Sequence, residues 1–498
     1  MTGLKAEVIT VEADITNGLN AFSVVGLGDR AVEEAKDRVA AAIKNSGYLS
    51  PKQRNQKVVI SLAPADLRKE GPSFDLAMAL TYLSAAEAID FDSEERLFLG
   101  ELSLEGLVRR VGGILPILCQ AKNLGFGQAF VPAENAEEAS LARDIAIYPV
   151  SSLPEIIDHL SGLKPIDPLK PGRPAETIPP NLPDMSSIRG NQAAKRGLEI
   201  AAAGAHNVIM SGPPGTGKTM LAQSFSSLLP PLSYEQSVEV TGIYSAAKLL
   251  CRGLMSHPPF RAPHHTASYP SIVGGGALPR PGEITLAHRG VLFLDEFPEF
   301  DREVIEALRQ PMEDRIVTIS RARGSVTFPA QCILIASMNP CPCGKGKEAG
   351  CLCSVRALEA YKRRISGPIV DRLDIWLNVS KVDYDELAAK TSKGETSLEI
   401  GKRVAAARKI QRDRFERSGL PDKCFNSEMS ARDLEKLVAM DDEARSILSA
   451  SAKKFALSGR AFHRVMKVSR TIADLAGLET IGKEQVLEAL QYRRREGE

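Results

Sequence analysis

Aromatic residues make up only 5% of this 498-residue chain, with a single tryptophan. No apolar run approaches the ~20 residues that a membrane-spanning helix requires. Net charge is almost absent as well. Lys and Arg number 63 against 62 Asp and Glu, a balance of +1. That excludes a global basic field for nucleic acid, so any polyanion site must be a local patch. The opening "MTGLKAEVITVEAD" lacks the apolar stretch and small-residue cleavage site of a secretory signal. The expectation is a cytoplasmic protein with no membrane partner, in a compartment where thiols stay reduced. Cysteine is scarce too, at eight residues, so a group of them reads as metal-binding or redox-active before it reads as a disulfide framework.

What is present is an ordinary globular composition, 43% hydrophobic and 25% charged. The chain is too long for one core, and about two to four domains are expected. Seven prolines between Pro165 and Pro183 mark residues 165–184 as an extended linker, because proline fixes φ and removes a donor. The linker separates an N-terminal α+β domain, 1–164, from an α/β segment, 185–380, and a helix-rich, charged C-terminal part, 381–498. In the first domain "AEVITVEADI", "GLNAFSVVGL" and "KVVISLAP" read as strands. Between them "RAVEEAKDRVAAAIKNSG" places Val32, Ala35, Val39 and Ile43 on one helical face, with Gly47 as a stop. A further helix follows "GPSFD".

Chemistry concentrates in the second segment. "GPPGTGKT", comprising Gly212, Pro213, Pro214, Gly215, Thr216, Gly217, Lys218 and Thr219, matches G-x-x-x-x-G-K-[ST]. It follows the apolar "NVIMS" and precedes the helical pattern "MLAQSFSSLL". Backbone N–H groups of such a loop cradle phosphates at a helix N-terminus. Lys218 would reach the β- and γ-phosphates of ATP, and Thr219 would ligate Mg²⁺. "GVLFLDEF" supplies a buried strand ending in Asp295, suited to Mg²⁺, and Glu296, suited to polarising an attacking water. A third strand, "CILIASMNP", ends at Asn339, whose amide could orient that water. These residues read as an ATP-hydrolysing enzyme rather than a passive binder.

"NPCPCGKGKEAGCLCS" follows directly and holds Cys341, Cys343, Cys351 and Cys353 within thirteen positions. Two C-x-C pairs separated by a glycine-rich turn allow four thiolates to converge on tetrahedral Zn²⁺. The C-x-C spacing is tighter than the usual knuckle. Structural zinc is the favoured reading, with reduced thiols and a disulfide or switch as the alternatives. Cys119, Cys251, Cys332 and Cys424 are scattered and read as inert. "RIVTISRARGSVTFPAQ" reads as a β-hairpin turning at "RARG". An insertion rich in Pro and Gly carries His264 and His265, for which a structural role is the simpler assignment.

A phosphate loop, an Asp-Glu strand end and a strand ending in asparagine resemble an AAA+ ATPase. "AHRGVLFLDEFPEF" is similar to the branch containing magnesium-chelatase subunits and minichromosome-maintenance helicases. "FRAPHHTASYPSIVGGG", "NPCPCG", "ISGPIVDRLD" and "GLNAFSVVGLGDRAVEEAKDRV" resemble the ComM/YifB family of magnesium-chelatase-like proteins across nearly the whole chain. The resemblance implies a multidomain α/β protein: a Lon-protease/S5-like N-terminal domain, a P-loop AAA+ core with a parallel sheet, and a C-terminal helical lid. It implies a homo-oligomeric ring, a hexamer, with ATP between subunits. It also implies Arg372 as a trans-acting arginine finger and Arg460 as a sensor-2 arginine, with Arg464 as its substitute and Arg289 as a further inter-subunit candidate. The hairpin would project into the central pore and present Arg321 and Arg323 to threading DNA. The implied function is a DNA helicase promoting branch migration in natural transformation, and the alternative is a chelatase-like ATPase remodelling a protein partner. Ser73 in "KEGPSFDLAMAL" matches a Lon-type nucleophile. The segment after Gly112 and Gly113 has no lysine to act as base, and Lys122 comes too late, so peptidase activity is not expected.

Overall fold

The computed structural model describes residues 4–493, apart from 54, 68, 70, 173–181, 251–252, 277–278, 322–323, 347–349 and 383–393, and apart from the side chains at 30, 321 and 324. The chain forms two compact units, residues 1–177 with 234–256 and residues 178–233 with 257–498.

In the first unit, β1 (Thr10–Asn17), β2 (Ala21–Val25) and β3 (Gln56–Ala63) form a sheet of order β1-β3-β2. The β1–β3 pair is antiparallel and the β2–β3 pair parallel. Helix α1 (Arg30–Asn45) buries Val32, Ala35, Val39 and Ile43, the face its 3.6-residue period marks out. Asp29 caps its N-terminus by accepting from the Val32 N–H, and Ser46 and Gly47 end it. Helix α2 (Asp75–Ala85) packs beside α1 in the same apolar cluster. A second, wholly parallel sheet consists of Arg96–Phe98, Gln128–Pro132 and Ala146–Val150. It shares its core with α3 (Ile114–Ala121).

Residues 234–256 lie in sequence between the phosphate loop and the Asp-Glu strand, yet they fold with this first unit. The helix Tyr234–Ala246 sits beside α3, and Ser245 Oγ accepts from the Gly113 N–H at 3.1 Å and donates to Glu138. The first part of the proline-rich linker is laid down on the same unit. Leu169 N–H donates to Ile147 O at 2.7 Å and Gly172 N–H to Ser140 O at 2.9 Å.

In the second unit, α4 (Gln192–Gly204) leads into β4 (Val208–Ser211), which is followed by α5 (Lys218–Ser226). Then come β5 (Phe260–Arg261), β6 (Val291–Leu294), the hairpin β7 (Ile316–Arg321) and β8 (Gly324–Pro329), β9 (Ile333–Met338) and β10 (Ile375–Asn378). One five-stranded sheet runs β5-β6-β9-β4-β10, every pair parallel. Its central strands are mostly apolar, with Ser337 in β9 and Ser211 at the end of β4 as the exceptions, as expected for a parallel sheet covered on both faces. The order places β9 between the phosphate-loop strand β4 and the Asp-Glu strand β6, so Asn339 leaves the sheet between the two. C-terminal helices α6 (Ser397–Arg417), α7 (Ala431–Leu437), α8 (Asp442–Lys454), α9 (Gly459–Leu475) and α10 (Lys483–Gln491) follow. Val404, Leu448, Val465, Ile472 and Val486 join the sheet residues in one apolar cluster. Among the described residues no helix is long and apolar enough to cross a membrane.

Candidate nucleotide site and cysteine cluster

Strand β4 ends at Ser211, and the chain turns at Gly212, where an added Cβ would lie 2.1 Å from the Val379 carbonyl oxygen. Only glycine fits that approach. Lys218 opens α5, so the free N–H groups of the first helical turn face the loop, where an anion is favoured. Its Nζ lies 2.6 Å from Gly212 O, 2.9 Å from Pro213 O and 3.4 Å from Asn339 Oδ1. Burial pushes its pKa down, while the charges of Asp295 and Glu296 pull it upward. The ammonium is parked on neutral carbonyls, which a charged phosphate oxygen would displace.

Thr219 Oγ1 donates to Asp295 Oδ2 at 3.0 Å. The hydroxyl and the carboxylate therefore face one point from two elements, a donor set of hard oxygens that fits Mg²⁺. The Ser337 hydroxyl donates to the other oxygen, Oδ1, of Asp295. Ser337 was not singled out from the sequence, although it is the one polar residue among Ile333–Ala336 and itself, in a strand otherwise fully apolar.

Glu296 sits in the left-handed region, at φ 51° and ψ 44°, which a non-glycine residue rarely adopts away from a functional constraint. Its N–H donates to Asp295 Oδ1 at 3.0 Å, and its side chain is exposed. His265 Nδ1 lies 3.2 Å from Glu296 Oε2, and its ring stacks against His264 at 4.2 Å. His265 thus stands on the Asp-Glu motif. The signal was weak in sequence because 31 residues separate the pair and only the β5–β6 pairing joins their strands.

The two arginines assigned by resemblance meet elsewhere. Arg372 Nη2 lies 2.5 Å and Arg460 Nη2 3.8 Å from Glu313 Oε1, and Arg372 Nη1 also donates to Pro368 O at 2.6 Å. The hydrogen bond from Arg372 holds the Glu313 carboxyl below the usual carboxylate range. Arg464 points instead to Asp374, at 3.6 Å. Burial alone would raise the Asp374 carboxyl, but the hydrogen bond from His206 and the charges of Arg464 and Lys467 outweigh it and hold the pKa at about 2. The hairpin forms with β7 and β8 antiparallel and Arg321 opposite Gly324. Arg323 and the side chain of Arg321 lie outside the described residues, as does Cys251.

The four clustered cysteines converge. Their sulfurs all lie within 4.8 Å of one another. Cys341 Sγ is 3.3 Å from Cys343 Sγ and 3.4 Å from Cys351 Sγ, and Cys343 Sγ is 3.6 Å from Cys351 Sγ. A tetrahedral zinc thiolate with bonds of ~2.3 Å has sulfur–sulfur edges of roughly 3.8 Å, so the spacing fits. Backbone amides support the sulfurs: Gly346 N–H donates to Cys341 Sγ at 3.2 Å and Cys353 N–H to Cys351 Sγ at 3.4 Å. The Lys345 N–H and the neighbouring thiols push Cys343 down to about 6. Burial does the reverse at Cys332, pushing it up to about 11, in keeping with an inert thiol. In the other unit, Lys122 lies past the end of α3 and its amine faces Asp144 at 3.9 Å on the surface.

Comparison with known proteins agrees with this architecture. The family model for magnesium chelatase, subunit ChlI, matches residues 184–387; that for subunit ChlI of Mg-chelatase matches 11–135, and the ChlI C-terminal model matches 394–493. The chain is 39% identical over 500 residues to the competence protein ComM of Haemophilus influenzae, covering 99% of this chain and 95% of the relative. It is 39% identical over 493 residues to YifB of Salmonella typhimurium, with 99% and 95% covered. A lower similarity, 23% over 208 residues, extends to the Lon protease of Xanthomonas oryzae and covers 40% of this chain and 24% of that protein. The phosphate loop, the Asp-Glu strand and the interposed Asn339 strand therefore belong to a magnesium-chelatase-type AAA+ domain, a family of ATPases that use ATP and Mg²⁺. Matched from end to end at this level of identity, the chain belongs to the ComM/YifB family of magnesium-chelatase-like proteins.

Proposed function

We propose that this protein is an ATP-hydrolysing ring motor that acts on DNA, a helicase promoting branch migration during recombination in natural transformation. The observation that carries the ATPase reading is the convergence of Lys218, Thr219, Asp295, Glu296 and Asn339 at the carboxyl ends of three parallel strands. Lys218 would leave its loop carbonyls to bind the terminal phosphates, and Thr219 and Asp295 would hold Mg²⁺, which would supply charge neutralisation at the phosphates. Asn339 orients the attacking water, and Glu296, whose side chain is exposed, takes its proton. Arg372 is assigned to the γ-phosphate of a neighbouring subunit and Arg460 to the sensor-2 position. Their common partner, Glu313, keeps both in reserve in the single chain.

DNA as substrate is supported by the hairpin that carries Arg321 and Arg323 and by the similarity to a competence protein. A neutral protein gains a local polyanion site when a ring gathers a few arginines at its axis. The test is ATP turnover with no DNA, single strand, duplex and a four-way junction, each at two salt concentrations. Stimulation by DNA, greatest with the junction and weakened by salt, is the expected result. Arg321→Ala with Arg323→Ala should remove most of it while basal turnover persists. Turnover indifferent to every DNA would instead favour a chelatase-like ATPase that remodels a protein partner.

The cysteine cluster is assigned to structural Zn²⁺. The residues between the two C-x-C pairs are glycine- and lysine-rich, and a metal held by four thiolates would supply cohesion that such a sequence lacks. Elemental analysis of the purified protein should find about one zinc per chain. A folded, metal-free protein with four free thiols would reject the assignment.

A further inference from the structure

The cysteine cluster is built into the wall of the candidate nucleotide site. Cys341 follows Asn339 by two residues, and Asn339 Oδ1 lies 3.4 Å from the Lys218 ammonium. Gly344, whose N–H donates to Cys341 O at 2.9 Å, presses directly on the phosphate loop. A Cβ at Gly344 would lie 3.0 Å from Pro214 Cδ and 3.2 Å from Pro214 Cγ, and its φ of +77° already disfavours any other residue. The far end of the cluster is tied to the same site by another route. Ser354, next to Cys353, caps the helix Val355–Arg363 by accepting from the Ala357 N–H at 3.2 Å. That helix carries the buried Tyr361, whose hydroxyl faces the Asn339 backbone. Immediately beyond it, Arg364 donates to Pro298 O at 3.2 Å and pairs with Glu299, just after the Asp-Glu motif.

The cysteines thus lie on a closed path touching the phosphate loop at Pro214, the water-orienting Asn339, and the backbone following Glu296. The residues between the two C-x-C pairs, GKGKEAG, supply little apolar surface, so a metal joining the sulfurs would add a constraint that the sequence does not. We propose that metal in the cysteine cluster braces the nucleotide site, so that metal and nucleotide bind with positive coupling. The proposal rests on the zinc reading above and deepens it, giving the metal a regulatory consequence at a second site. By linkage, the factor by which metal tightens nucleotide is the factor by which nucleotide tightens metal.

The experiment uses the full chain carrying Glu296→Gln, to prevent turnover. Co²⁺ is substituted for zinc, because a tetrahedral Co²⁺–thiolate centre has visible and near-ultraviolet bands sensitive to its geometry. Affinity for a non-hydrolysable ATP analogue is measured on the zinc-loaded and the chelator-stripped protein. The metal-loaded form is expected to bind the analogue roughly five- to a hundredfold more tightly. Adding the analogue should also shift the Co²⁺ bands and slow extraction of the metal by chelator. Gly344→Val retains all four thiols and should take up the same amount of metal, yet lose nucleotide affinity through the clash with Pro214.

If neither Zn²⁺ nor Co²⁺ is taken up by the folded protein, the zinc reading itself fails and the proposal with it. If the metal binds but nucleotide affinity is the same with and without it, and the Co²⁺ bands do not move, coupling is overturned while zinc stands. Should Gly344→Val fail to fold, the comparison of loaded with stripped wild-type cluster still decides between these outcomes.

Discussion

Replacing Glu296 by glutamine is expected to lower ATP turnover by roughly 10²–10⁴-fold while leaving nucleotide binding nearly intact, the range associated with loss of a general base. Glutamine keeps the side-chain volume and one carbonyl oxygen but cannot accept a proton from water. Binding should survive because Lys218, assigned to the phosphates, and Thr219, assigned to Mg²⁺, are held by Gly212, Pro213, Asn339 and Asp295 and not by Glu296. The backbone at Glu296 is fixed by its own N–H to Asp295 and Ser337, so the substitution need not alter the left-handed turn. Steady-state phosphate release and equilibrium binding of an ATP analogue check the two halves separately. Turnover within tenfold of the wild type would remove Glu296 from the role of base.

The largest expected effect on stability lies far from the nucleotide. Asp474, completely buried on α9, accepts from Arg470 Nε at 3.1 Å, Arg414 Nη1 at 3.2 Å and Asn426 Nδ2 at 2.7 Å. Arg470 is 1% exposed and also donates to the carbonyls of Leu478 and Glu479. Asp474→Ala would leave that guanidinium charged, dry and without its counter-ion, at a cost of about 3–5 kcal/mol. Because the chain has two compact units, a single melting temperature would mix their transitions. Hydrogen exchange in the helix Gly459–Leu475 reads the effect locally, and protection there should fall sharply in Asp474→Ala. Unchanged protection would mean that water or a rearranged side chain satisfies Arg470.

Short-range features were legible in the sequence because local physics specifies them. A phosphate loop needs its glycines and lysine in consecutive positions, so Gly212–Thr219 announces itself, and the apolar runs flanking it identify a buried strand and a helix. The hairpin Ile316–Pro329 and the helix Arg30–Asn45 follow from alternation and from the 3.6-residue period in the same way. The cysteine cluster was legible because thirteen positions contain all four cysteines, although only folding shows their sulfurs within 4.8 Å.

Contacts between distant segments were not legible. The sequence carries no signal of which unit the helix Tyr234–Ala246 joins. That depends on the match between Ser245 and the Gly113–Glu138 corner. The proline count likewise marks residues 165–184 as extended without revealing that the Leu169 and Gly172 amides find carbonyls on the first unit.

By itself the sequence determined the chemistry available to this protein: a phosphate-binding loop, two acids at a strand end, an asparagine, and four thiols. Each is a contiguous motif whose residue types are dictated by the group they bind. Tertiary structure alone decided how those groups are wired together. Inserting β9 between β4 and β6 brings Asn339 to Lys218 and Ser337 to Asp295, and β5 beside β6 brings His265 to Glu296. It also sets Gly344 against Pro214. Such pairings depend on strand order and close packing across tens of residues, which no local propensity encodes.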